Sequence, residues 1–348
     1  MNLLSSLRGK CLLFSKANYS PLRYPCRNFI KRPSREDGGM NLAPKIKKSQ
    51  DTQEHRVLPT FLKCFTFTSG FCGTVFIGSS IWNYENVKKT FQNQELSEWI
   101  KSRWNKLDGF EHKGGDFRKF MNKYWNELAD GGKIFWGICA ANVFVFLCWR
   151  YPPLQSTMMK YFCSSPVARA VCWPMFLSTF SHYAPLHLIM NMYVLNSFSA
   201  ITSSTLGPEQ FLAFYLAGGV VSSFMSNTFK LLTRTVGPSL GASGAIMAML
   251  GYFCTKYPDA KLGIVFIPNM PFSADTALKA VMLLDLSGII FRWKLFDHAA
   301  HLGGALFGIF YALIVVRRID TISQIYGNTP RGMGLNLETL KQSSMDID

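Results

Sequence analysis

The sequence predicts an all-α membrane protein with seven spans, one standing apart and six forming a compact unit. Three observations predict it. The chain has 348 residues and 17% charged residues, below the roughly 25% of an average soluble chain. The shortfall is local, since only 15 charged residues fall between Ile134 and Val316. A soluble domain of that size needs a charged surface, so this block belongs in lipid. The third observation is a set of seven apolar segments, against the roughly 20 residues that cross a bilayer core. The same composition excludes intrinsic disorder, a collagen-like chain and a small disulfide scaffold.

The first span covers about 61–83, from Leu62 to Asn83 in its apolar part. A polar linker, 84–133, follows. The compact unit is 134–316, with spans near 134–150, 184–203, 209–229, 241–256, 275–292 and 298–316. A semi-apolar segment with four prolines, 151–180, separates the first two of these. Several spans are short and rich in Gly, Ser and Ala, which lets transmembrane helices approach closely. No internal repeat appears, so an inverted-repeat transporter loses weight. The tail 317–348 is polar and offers nothing to pack.

The net charge of +16 is uneven, for residues 1–35 hold eight Lys/Arg and no acid. That composition, rich also in Ser and Leu, reads as a mitochondrial transit peptide. It places 1–60 as a targeting and disordered matrix segment, with a disordered basic tail as the plainer alternative. No folded basic face appears, so nucleic acid is not the expected partner. Lys/Arg bias sets orientation. The basic N-terminus then stays in the matrix, and seven spans carry the C-terminus to the intermembrane space. The loops 151–183, 230–240 and 293–297, on the matrix side by this parity, carry the excess of basic residues. The nine cysteines are odd in number with no C-x-x-C pair, which predicts free thiols and neither zinc site nor disulfide framework.

Polar groups inside a membrane are expensive and are functional candidates by default. Three clusters stand out. Gly237-Pro238-Ser239-Leu240-Gly241-Ala242-Ser243-Gly244-Ala245 opens the fifth span. A serine at a helix start has free backbone N–H groups beside it, the donors an oxyanion needs. Alone, this motif reads more simply as an N-cap serine in a glycine-rich turn. The second cluster is His301 with Gly304 and Gly308 on one face of the seventh span. Gly244, Ala248 and Gly251 form a matching face on the fifth. Two such faces can pack backbone to backbone and bring imidazole to hydroxyl, which outweighs the separate bland readings. The third is His182, His187 and Asn191, the last two one turn apart and able to donate hydrogen bonds without charge. Its plainer reading is polar contact between helices. A metal site built from His182, His187, His298 and His301 lacks a carboxylate at a zinc-protease spacing, so no metal is expected. Asp297, four residues before His301, could orient it but suits a helix cap better. Lys279 and Asp285 in the sixth span are ambiguous and are not counted as catalytic.

Together these motifs resemble the rhomboid intramembrane serine proteases, whose H-x-x-x-x-H-x-x-x-N, G-x-S-G and A-H-x-x-G-x-x-x-G patterns occur here in that order. Residues 173–310 resemble the mitochondrial presenilin-associated rhomboid-like (PARL) subfamily, which also has one extra span before a six-helix rhomboid core. The resemblance implies Ser243 as nucleophile and His301 as general base and acid. It implies an oxyanion hole of the Ser243 backbone N–H with His187 and Asn191. His182 would support this site, with Gly241, Gly244, Gly304 and Gly308 shaping it. It further implies the sixth span as lateral gate, no cofactor, and transmembrane proteins of mitochondria as substrates within the lipid bilayer. The tyrosine that many bacterial members place one turn after the serine is Met247 here, which implies sulfur–ring packing against the histidine. The first-loop Trp-Arg pair is Trp173-Pro174, so no arginine role carries over. The competing readings are a catalytically silent helix-binding relative and, last, a transporter or channel using the buried histidines. Oligomeric state is not readable.

Overall fold

The computed structural model describes residues 43–104, 116–264, 267–293 and 296–316. The expected transit peptide over most of 1–60 and the tail beyond 316 lie outside them. The chain divides into two units, Met1–Asp51 and Thr52–Asp348. The first contributes only the start of one helix to the described residues. Everything below concerns the second.

Ten α-helices occur in the described residues, in the order α1 (Ala43–Trp104), α2 (Asp116–Glu127), α3 (Asp130–Arg150), α4 (Gln155–Tyr161), α5 (Cys172–Leu177), α6 (Pro185–Leu206), α7 (Pro208–Thr233), α8 (Ser243–Lys256), α9 (Ala274–Ile290) and α10 (His298–Phe310). A final wide turn, Tyr311–Val316, extends α10. Each of the seven expected segments falls on a helix. Three helices are long and apolar enough to cross a membrane by length and composition, at Val57–Thr90, Asp130–Arg150 and His298–Val315. The others are shorter or more polar, and α8 has only 14 residues, about 21 Å at 1.5 Å per residue.

One expectation needs correction. The fold is mostly helical but not wholly so. Strands β1 (Lys261–Ile264) and β2 (Ile267–Ser273) form an antiparallel hairpin between α8 and α9. Its Gly, Pro and Asn made it read as a loop. The polar linker 84–133 is also largely helical. The first helix runs 62 residues, well past the apolar stretch, and α2 turns Phe120, Met121, Tyr124 and Trp125 outward.

Local chemistry sets the helix ends. Proline opens α6 and α7 at positions where its missing N–H costs nothing. Gly207, with φ of 83°, makes the tight corner between them. Ser273 caps α9 by accepting from the Thr276 N–H, and Asp297 caps α10 by accepting from the Ala300 N–H at 3.0 Å. The expected cap is therefore what Asp297 forms. The core centres on Phe211, Phe214, Tyr215, Leu195, Met249 and Tyr252, all fully buried between α6, α7 and α8. The first helix docks on this bundle through its aromatics. Phe61 and Phe65 meet Phe224, Phe71 meets Phe176, and Phe76 stacks on Tyr311. Trp173 also turns to this helix, edge-on to Phe67. The seven cysteines among the described residues are all free.

Candidate active site

The site forms where the N-terminal ends of α8 and α10 meet. Two helices of lipid-borne protein gain nothing from hiding apolar surface from each other, so close packing must hold them. Here the packing is backbone on backbone. A methyl group at Gly304 would run into the Gly244 carbonyl, one at Gly308 into the Ala248 carbonyl, and one at Gly251 into the Ala305 carbonyl. The two small-residue faces read from the sequence are thus the contact surface. That closeness sets Ser243, the first residue of α8, 2.9 Å from His301, in the first turn of α10. The hydroxyl Oγ faces the imidazole Nε2.

The approach to Ser243 is equally constrained. Gly241 has φ of 127°, a conformation side chains rarely adopt. Its Cα also lies under the His187 ring, so that an added Cβ would be 2.8 Å from Cε1 and 3.1 Å from Nε2. The Gly241 N–H donates to the Ser178 carbonyl at 2.9 Å. The Ala242 N–H donates to His182 Nε2 at 3.3 Å. His182 is fully buried. Burial first, and then the neighbouring His187, push its imidazole down to about 3, so it accepts as a neutral ring. His182 and His187 meet edge to face, centroids 4.9 Å apart. Behind the loop, Ser164 and Ser239 exchange backbone hydrogen bonds of 2.8 and 2.9 Å.

The four functional candidates of the sequence thus come together unequally. Ser243 and His301 are paired directly. His187 stands against the turn that leads into Ser243. Asn191 is tied to its own helix, its Nδ2 donating to the His187 carbonyl at 2.8 Å, with one amide proton left over. The Ser243 N–H sits in the first turn of α8, where no carbonyl four residues back is available to it.

Three further residues lie at the site, of which Phe296 escaped the sequence reading. Phe296, in the loop before α10, lies 6.0 Å centroid to centroid from the His301 ring and tilted by 35°. It supplies an aromatic neighbour, while Met247 is buried in the cluster with Ala274, Leu278 and Ala305. Asp285 and His298 are the others. Asp285, on α9, is buried, and its Oδ1 lies 2.7 Å from His298 Nδ1 and 3.2 Å from His301 Nδ1. Of the two options open for Asp285 in the sequence, it takes the pairing with another helix. A lone acid in an apolar helix gave no sign of its partners, because both are 13 or more residues away in sequence. Lys279, by contrast, pairs at the surface with Asp275 at 2.7 Å. The four histidines of the sequence-level metal set are divided, two by α6 and two on α10. The donor atoms of Asp285, His298 and His301 do lie within 4.8 Å of one another, close enough for an ion. Their direct contacts already have the lengths of hydrogen bonds.

Comparison with known proteins gives the family. A family model described as the rhomboid domain matches residues 169–318, which hold all four candidates. The chain is 49% identical to the presenilin-associated rhomboid-like protein, mitochondrial, of Bos taurus, over 271 residues covering 78% of this chain and 71% of that protein. The chain belongs to the rhomboid family. It stands with the presenilin-associated rhomboid-like proteins within that family. The human protein of that name is 47% identical over 288 residues, 80% of this chain and 75% of its own length. Rhomboid protein 1, mitochondrial, of Saccharomyces cerevisiae is 33% identical over 187 residues, 53% of this chain and 54% of that protein. The rhomboid match covers α5 to α10, so α1 to α4 lie outside it.

Proposed function

We propose that the chain is an intramembrane serine protease of the mitochondrial inner membrane, which hydrolyses peptide bonds in or near transmembrane helices of mitochondrial membrane proteins. The observation that carries this reading is the 2.9 Å contact between Ser243 Oγ and His301 Nε2. A serine hydroxyl is a weak nucleophile and needs a base within hydrogen-bond reach. With Nε2 unprotonated, the Ser243 O–H donates to it. As Oγ attacks the scissile carbonyl, its proton passes to Nε2. The carbonyl oxygen takes the negative charge, facing the Ser243 N–H, His187 and the free amide proton of Asn191. His301 then returns the proton to the leaving amine. Water repeats the cycle on the acyl-enzyme and frees Ser243.

In this reading the chain spans the membrane seven times, with α1 set before the six helices α3, α6, α7, α8, α9 and α10. The N-terminus faces the matrix and the C-terminus the intermembrane space. Ser243 opens its helix beside a loop, so it sits near a membrane face where water reaches it. The substrates are transmembrane proteins of mitochondria whose helices unwind there.

The test is cleavage in proteoliposomes. Ser243→Ala and His301→Ala should each lower turnover of a transmembrane substrate by roughly 10⁶-fold, the loss seen on removing either residue from a serine protease. Full cleavage by folded Ser243→Ala would sink the reading. A fluorophosphonate should label Ser243 in the native chain and not after denaturation. For the topology, a tag after Asp348 should become accessible to protease when the outer membrane is opened and stay shielded from protease on the matrix side.

A further inference from the structure

We infer that α2 is an interfacial anchor, a helix that lies along the bilayer surface with its Phe120, Met121, Tyr124 and Trp125 face sunk among the lipid headgroups, beside the point where α3 enters the membrane. The inference rests on the part of the reading above in which α3 crosses the bilayer, and not on protease activity.

Every residue of α2 from Arg118 to Glu127 is exposed, so neither face of that stretch is packed against the rest of the chain. A helix of 12 residues is marginal in water without tertiary packing. Something outside the chain must therefore hold it.

The distribution of side chains says what. Phe120, Met121, Tyr124 and Trp125 recur at helical spacing and fall on one side, whereas Lys119, Asn122, Lys123 and Asn126 fall on the other. Phe120 is 64% exposed, and Met121, Tyr124 and Trp125 are exposed with it. Tyr and Trp rings, apolar with one polar atom, settle at the level of the headgroups. Lysines on the opposite face keep their ammonium groups in water and favour anionic lipid. This is the pattern of a helix that lies in the plane of the interface, its apolar side buried to about 5–10 Å.

Position favours lipid over a soluble protein partner. Only Leu128 and Ala129 separate α2 from α3, and three steps of chain reach at most about 11 Å. The helix that follows is long and apolar enough to cross a membrane, and it turns Val143, Phe144 and Leu147 outward. Its first turn belongs to the water side, since Asp130 and Lys133 pair there at 3.2 Å. Trp136, one turn further on, is exposed and marks the headgroup level. The end of α2 is thus tethered to the polar edge of a span, at the depth where one face meets lipid and the other meets water. In the topology proposed above this is the intermembrane-space surface. An anchor there holds the entry of α3 at a fixed depth.

The test uses the full chain in vesicles of phosphatidylcholine and phosphatidylglycerol. A photoreactive benzoylphenylalanine is placed in turn at Phe120, Tyr124 and Trp125 on the apolar face, at Lys119 and Asn122 on the polar face, and at Phe144 in α3. Lipid adducts are counted by mass spectrometry after irradiation. The apolar-face sites should give roughly tenfold more adduct than the polar-face sites, because a helix about 10 Å across holds the latter in water. Equal adduct on both faces, or none at 120, 124 and 125 while Phe144 reacts, overturns the inference and leaves the span intact. Cross-linking of the apolar face to a second copy of the chain, in place of lipid, also overturns it. No adduct at Phe144 removes the crossing of α3, and this inference with it. Should the probe variants not fold, Trp125 itself answers. The emission of wild type minus that of Trp125→Phe should be quenched in vesicles whose phospholipid is brominated near the top of the acyl chain, and an unquenched difference overturns the inference. Full cleavage by Ser243→Ala would remove the protease reading and leave the anchor untouched.

Discussion

The helices α8 and α9 follow one another in the chain, yet they are held against α10 by opposite means. Between α8 and α10 there is almost no side chain, and carbonyl oxygens of one helix lie against the glycine Cα atoms of the other. Between α9 and α10 the contact is made by side chains, with Asp285 reaching two histidines. Ala274, Leu278 and Gly288 of α9 are buried, while Leu283, Leu284, Leu286 and Ile290 turn outward and are exposed. The first interface has no rotamers to adjust, so it fixes the distance between nucleophile and base. The second depends on side chains, with one buried carboxylate as its polar centre.

The comparison breaks most severely at the glycine face. Gly304→Val puts a branched side chain against the Gly244 carbonyl and the Met247 Cβ. Overpacking of a fitted core costs about 1–3 kcal/mol, occasionally more, and here backbone, not a flexible side chain, must give way. The expected outcome is an upward departure from that range, read as early unfolding in detergent, together with loss of Ser243 labelling. A folded and active Gly304→Val would show that the α8–α10 contact is less exacting than its geometry.

That contact was legible in the sequence, because Gly244, Ala248 and Gly251 recur at helical spacing and so do His301, Gly304 and Gly308. A periodic pattern of small residues reports what presses on it. The pairing at α9 was not legible. Asp285 is one acid in an apolar helix, and nothing in its neighbourhood announces two imidazoles from a helix that begins 13 residues later. Phe296 was hidden for the same reason, since an aromatic in a loop could pack anywhere. The seven helices were placed by their apolar runs, whereas the long extension of α1 and the β hairpin were missed. Charge along α1 masks its helical continuity, and the hairpin is set by turn residues that also suit an open loop.

Asp297 tests the α10 end of the comparison at lower cost. Loss of a side-chain cap costs about 0.5–2 kcal/mol, and Asp297→Ala also strands the Lys230 ammonium. Unfolding in detergent should occur at lower temperature, with turnover reduced because His301 stands in the first turn. The pH dependence follows from the same contacts. Burial alone would raise the Asp297 carboxyl, but the Lys230 ammonium and the hydrogen bonds from Ser226, Ser239 and Lys230 outweigh it and hold it at about 2, below its ordinary 3.8. A depressed value means that its stabilising share is complete above pH 3.8 and is lost as pH falls towards 2. Asp297→Ala should therefore lack that part of the acid loss, which a pair of thermal unfolding series across pH 2 to 5 would reveal.

Gly241 probes the turn that carries the serine. Gly241→Ala asks a residue with a Cβ to hold a φ of 127° and to stand 2.8 Å from the His187 ring. Strain of this kind costs on the order of 1–3 kcal/mol. Relaxing it moves His187, Ser243 or both. Since the bundle beneath is untouched, the expected result is a modest fall in unfolding temperature with a larger fall in kcat. Equal losses in stability and turnover would place the strain in the scaffold and not in the site.

The outer face of α9 should give the smallest effect. Leu284→Ala removes a side chain that is 55% exposed, on the helix whose hold on α10 comes from its other face. Exposed substitutions away from special contacts usually stay within about 0.5 kcal/mol. Unfolding temperature and fluorophosphonate labelling of Ser243 should both match wild type, because neither depends on what lies against this face. Cleavage of a transmembrane substrate is the more searching readout. If α9 parts from α10 to admit the substrate, a smaller residue on its outer side leaves labelling unchanged while altering the rate of cleavage. A Leu284→Ala variant that loses labelling and cleavage together would show that α9 is as tightly bound to the site as α8, and the contrast between the two helices would fall.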